Sequence, residues 1–92
     1  MAYRVDEVIR KTVGTTAETI QLGYTPVYIE NAGSTTLYIK EAEWDGVDCM
    51  PQNGFPIVKG CMIQKPLAIR KLSVVSSAAG GDLAILKVQD YI

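Results

Sequence analysis

Val27-Tyr28-Ile29-Glu30-Asn31-Ala32-Gly33-Ser34-Thr35-Thr36-Leu37-Tyr38-Ile39-Lys40 holds two strictly alternating runs on either side of a cluster of turn-forming residues. The pattern predicts a β-hairpin, with Asn31 and Gly33 in the turn as residues that tolerate positive φ. Val27, Ile29, Leu37 and Ile39 fall on one face, and Tyr28, Glu30, Tyr38 and Lys40 on the other, as in an antiparallel sheet with one side buried. Tyr28 and Tyr38 therefore point outward and are candidate partner contacts.

Strand signals continue in both directions. Upstream, Thr15 to Leu22 is threonine-rich, carries Ile20 and Leu22 on one face, and ends in the turn formers Gly23-Tyr24-Thr25-Pro26. Downstream, Asp45-Gly46 suits a tight turn, and Met50-Pro51-Gln52-Asn53-Gly54-Phe55-Pro56 is a loop. Ile57-Val58, and Cys61 with Ile63 before Lys65-Pro66, read as two short strands. Leu67 to Val75 and Leu83 to Val88 are apolar at nearly every position, which predicts central strands covered on both faces. They are joined by a polar turn, Ser76 to Asp82, which reads as the turn of a closing hairpin. About seven or eight short strands with no helical stretch of ten residues predict an all-β fold, a small antiparallel β-sandwich or jelly roll, with a small open barrel as the alternative. Met1 to Lys11 mixes five charges with Val5, Val8 and Ile9, which could form a short helical stripe, a strand or a docking segment. The expected organisation is an N-terminal arm over residues 1–12 and one sandwich domain over residues 13–92.

A chain of 92 residues that is 48% hydrophobic, 21% charged and net −1 fits one soluble domain and excludes a disordered tail or a basic nucleic-acid binder. A domain this small buries only about 60 to 65% of its unfolded surface, so association would stabilise it, and a homo-oligomer is expected. No run approaches the ~20 apolar residues of a membrane span. Acids at Asp6 and Glu7 stand where a signal peptide would carry its apolar segment, which predicts cytoplasmic synthesis. Cys49 and Cys61 are expected to be reduced and mostly buried.

The sequence has no histidine, which removes Ser-His and Cys-His dyads, histidine bases and mixed histidine metal sites. Two cysteines twelve residues apart are not a zinc pattern, and Asp45 and Asp48 lack the further ligands of a calcium loop. No catalytic residue, metal or cofactor is therefore expected. Glu41, Glu43, Asp45 and Asp48 around Trp44 would be tolerable in a sugar site, but read more simply as a solvated acidic loop with Trp44 capping the core. Protein contact is the best functional use of the aromatic residues. The candidate interface comprises Tyr3, Arg4, Val8, Ile9, Arg10 and Lys11 of the arm together with Tyr28, Tyr38, Trp44 and Phe55.

Three segments carry a resemblance: Thr15-Thr16-Ala17-Glu18-Thr19-Ile20-Gln21-Leu22, then Ile29 to Ile39, then Asn53-Gly54-Phe55-Pro56-Ile57 with Val58-Lys59-Gly60. A closing run from Pro66-Leu67-Ala68-Ile69 through Gly80-Gly81-Asp82-Leu83-Ala84-Ile85-Leu86-Lys87-Val88 completes it. Together, over residues 13 to 88, the chain resembles the small all-β virion proteins of tailed bacteriophages and prophages. The resemblance implies a structural protein of the virion, made in the host cytoplasm, that binds the major capsid protein or other virion proteins without nucleic acid or membrane. It favours a capsid decoration (cement) protein, commonly a trimer. A tail, fibre or baseplate component with a receptor- or carbohydrate-binding role is the alternative.

Overall fold

A computed structural model describes the backbone of residues 2–42 and 48–91 and the side chains of residues 7–42 and 48–88. The strands are β1 (Ala2–Val13), β2 (Glu18–Gln21), β3 (Pro26–Asn31), β4 (Leu37–Glu41), β5 (Phe55–Ile57), β6 (Leu67–Ala68), β7 (Lys71–Ser76) and β8 (Gly81–Tyr91). They form two antiparallel four-stranded sheets, ordered β1-β8-β3-β6 and β2-β7-β4-β5. This is a β-sandwich with jelly-roll strand order, as expected.

Val27 and Ile29 of β3, with Leu83 and Ile85 of the neighbouring β8, share one core with Leu37 and Ile39 of β4 and Leu72 and Val74 of the neighbouring β7. All of these but Ile39 are essentially inaccessible to water, so apolar burial on the facing sides holds the layers together. Of the two runs expected to be central, Leu83 to Val88 lies within β8 between β1 and β3, whereas Leu67 to Val75 is split: Leu67–Ala68 is the edge strand β6 of the first sheet, and only β7 lies centrally, between β2 and β4. The outer face of β7 is covered too, because the Cys49 amide donates to buried Ser73 Oγ at 2.9 Å and lays that segment over the strand.

The expected hairpin does not form. β3 pairs with β8 and β6, whereas β4 pairs with β7 and β5, so the chain crosses from one sheet to the other between Asn31 and Leu37. Neither Asn31 nor Gly33 has positive φ. Asn31 is instead wholly buried: its side-chain amide donates to the carbonyls of Thr35 at 2.6 Å and Ile57 at 2.7 Å, and its Oδ1 accepts from the Gly33 amide at 3.1 Å. Gly33 is needed for close approach, since a Cβ there would stand 2.9 Å from the Asp82 amide nitrogen. The Ser76 to Asp82 turn also crosses between sheets, from β7 to β8, so the expected closing hairpin is absent as well.

The expected arm is a strand of the first sheet. β1 pairs with β8 from Ala2↔Tyr91 to Val13↔Gly81, so the boundary expected after residue 12 falls inside it. The pairing of β1 with β8 shifts register between Val5 and Glu7, which leaves Asp6 unmatched. As an edge strand it also carries charges that discourage pairing with other chains. Of the expected strand pair after Phe55, only β5 is a strand, and Cys61 to Ile63 makes a single bridge, Glu30↔Met62.

Candidate functional site

The candidate interface residues are scattered over the molecule. Tyr28 on β3 and Tyr38 on β4 are half-buried on the outward sides of different sheets, so they occupy opposite faces of the sandwich and cannot share one partner surface. Val8 is exposed on β1, whereas Ile9 packs against the core. Arg10 is bound within the fold to Asp82 at 2.6 Å, and Lys11 to Glu18 at 3.7 Å. Both pairs are solvent-exposed, and each contributes under about 1 kcal/mol. Tyr3 and Arg4 sit on the β1 backbone opposite Asp90 and Gln89. Their side chains, and Trp44 entirely, lie outside the described residues.

Phe55 alone leads to a concentrated surface. It is 62% exposed on the edge strand β5, and Val58 and Met62 are 54% and 43% exposed nearby in the chain. These three line a cleft of about 820 Å³ on the side of the sandwich where the edge strands β5 and β6 stand. Ile39, Ile57, Ile69 and Leu72, all buried, lie deeper and tie the cleft wall to the core. The volume is that of a ligand cleft, and its lining is mostly apolar.

The local backbone explains the opening. β5 and β6 have three and two residues, each paired on one side only, and Pro56 lacks the amide needed for a longer ladder. The intervening chain docks at Cys61 to Ile63: the Ile63 amide donates to Ile29 O, and Asn31 N to Cys61 O, both at 2.9 Å. Two short edge strands and a loop held at one point leave the sheets unsealed there.

Both cysteines are free thiols. Cys49 is buried as expected, and desolvation pushes its thiol pKa up, partly opposed by the positive charge of Lys40. Cys61, expected to be buried, is exposed and lines the cleft, because the docking bridge uses its backbone and leaves the side chain outside the core. Among the described residues no group of His, Cys, Asp and Glu could hold a metal ion, and no helix is long and apolar enough to cross a membrane.

Sequence reasoning reached Phe55 but missed Val58 and Met62. No local signal marks them, because alternation breaks off at Lys59-Gly60 and again at Lys65-Pro66. No protein-family model, curated protein or solved structure matches this chain.

Proposed function

We propose that this chain is a non-enzymatic structural protein of a virion, a capsid decoration protein that adheres to the head lattice as a homo-oligomer, with a trimer the expected form. The observation that carries the adhesive role is the gathering of Phe55, Val58 and Met62 around one apolar cleft. Clustered apolar exposure of this kind marks contact surfaces, whereas single exposed residues do not. Each of these side chains has about half its surface still to lose, so covering them contributes roughly 1 kcal/mol apiece. The resemblance of residues 13 to 88 to small phage virion proteins supports the virion as the setting and decoration as the role.

Co-sedimentation of the purified chain with expanded heads and with isolated tails of the phage that encodes it tests the proposal. Saturable binding to heads, weakened by Phe55→Asp, is the expected result. Binding to tails or to host-surface glycans in place of heads overturns decoration. A chain that remains monomeric both by light scattering and on the heads it binds removes the trimer.

A further inference from the structure

We infer that Asn53 is a site of spontaneous covalent modification, at which the side-chain amide is lost as ammonia to attack by the backbone nitrogen of Gly54. The fold holds this reaction back while the loop from Asp48 to Gly54 is seated. The isoaspartate it yields unseats that loop and uncovers the Cys49 thiol.

The chain has two asparagines, and their surroundings separate them. Asn31 is wholly buried and precedes Ala32, whose Cβ crowds the nitrogen that would have to attack. Asn53 is exposed and precedes glycine, the residue that crowds this nitrogen least. Packing requires that glycine, since a Cβ at position 54 would stand 2.5 Å from Cys49 Sγ and 2.8 Å from Tyr38 Cβ. The close contact that seats the loop on the second sheet is thus the reason a reactive Asn-Gly pair stands here.

Water is the only co-reactant. Gly54 N gives up its proton and attacks Asn53 Cγ; a C–N bond forms, the Cγ–Nδ2 bond breaks, and Nδ2 departs as ammonia with that proton. The product is a five-membered cyclic imide. Water then adds to one of its two carbonyls and opens the ring. One opening leaves an ordinary aspartate, and the other leaves isoaspartate, whose main chain runs through the former side chain and is one methylene longer. Nothing is oxidised or reduced.

The seated loop engages both reacting groups. The Gly54 amide donates its hydrogen to Met50 O at 2.9 Å, so the attacking nitrogen is occupied. Asn53 Oδ1 accepts from the Met50 amide at 2.7 Å and Nδ2 donates to Asp48 O at 3.3 Å, which ties the side chain to the start of the loop. Reaction therefore waits on a local opening that breaks these bonds together. After isoaspartate forms, the added methylene prevents Gly54 from resting on Met50 O and against Cys49 Sγ at once. Cys49, buried while Gly54 is in place, then becomes accessible.

The test incubates the full-length chain at mildly alkaline pH with and without urea and follows both asparagines by peptide mass spectrometry, with isoaspartate identified by methylation with protein isoaspartyl methyltransferase. Asn53 is expected to convert in urea, with Asn31 lagging far behind, and to convert at least about tenfold more slowly in the folded chain. Chains modified in urea and then refolded should regain the far-ultraviolet circular dichroism of untreated protein yet expose Cys49 to Ellman's reagent. Asn53→Ser keeps an oxygen for the Met50 amide but has no amide to lose, so it should pass through the same treatment with Cys49 protected. Asn53→Gln, whose ring closure would need six members, takes its place if the serine variant does not fold. Equal rates with and without urea overturn the protection by the fold. No conversion at Asn53, or faster conversion at Asn31, overturns the site. Refolded isoaspartate chains whose Cys49 stays unreactive, or which fail to regain the sheet signal, overturn the local unseating of the loop.

Discussion

Replacing Asn31 tests what makes the chain cross between sheets. Its side chain is wholly inaccessible and makes three hydrogen bonds, to Thr35 O, Ile57 O and Gly33 N. In Asn31→Ala all three partners lose it. The Ile57 carbonyl, whose bond is buried, has no route to water and costs about 1 to 3 kcal/mol, and the part-buried bonds at Thr35 and Gly33 add about 1 kcal/mol each. The expected loss is about 3 to 5 kcal/mol, a large share of the roughly 5 to 14 kcal/mol available to a domain of this size. Asn31→Asp keeps the shape but, when ionised, has no hydrogen to give either carbonyl and buries a charge, so at pH 7 it should be worse than alanine. Burial raises the folded-state pKa of the substituted carboxyl above its unfolded value near 4. Its neutral form is therefore favoured by folding below about pH 4, and that stability is lost as pH rises through the raised folded value. Urea unfolding followed by far-ultraviolet circular dichroism at pH 7 and pH 4 reads both effects. A loss under about 1 kcal/mol in Asn31→Ala, or an Asn31→Asp deficit independent of pH, refutes the claim that this amide fixes the crossing.

Deleting residues 2–11 removes most of β1, strips pairing from one side of β8 and exposes the core around Val13, so the truncated chain should melt well below wild type or aggregate on gel filtration. An unchanged melting curve would make β1 dispensable. Gly33→Ala should cost about 1 to 3 kcal/mol, because its new Cβ meets the Asp82 backbone, itself tied by the Ala32 amide to Asp82 O at 2.9 Å. Gly14→Ala, with nothing within 4 Å, is the near-neutral control in the same denaturation series. Ellman's reagent should modify Cys61 at once and Cys49 only on unfolding, with equal rates counting against the burial of Cys49. Burial raises the Cys49 pKa above its ordinary value of 9.0. The stability that this contributes is complete below that value and is lost as pH rises through the folded pKa, so Cys49→Ala should flatten the alkaline fall in melting temperature.

What could be read from the residues was the inward face of β3 and β4. Val27, Ile29, Leu37 and Ile39 are buried as their alternation requires, and the apolar run Leu83 to Val88 lies in a central strand, whereas the run from Leu67 to Val75 is divided between edge strand β6 and central strand β7. A period of two states that one face is buried, but not against what. Two alternating strands joined by a short turn satisfy it equally whether they lie side by side in one sheet or face to face in two. Tertiary structure chose face to face, because Asn31 finds its acceptor on Ile57, twenty-six residues away, and Gly33 lies against Asp82. β1 was hidden for a related reason: its pairing shifts register between Val5 and Glu7, and its partner strand is at the far end of the chain. The cleft was the least legible feature. Val58 and Met62 stand in a stretch broken by proline and glycine, and local pattern cannot say whether such residues are buried or left at an unsealed edge. That depends on how short β5 and β6 turn out to be once both sheets have formed, and on where the chain between them finds a hydrogen bond to β3.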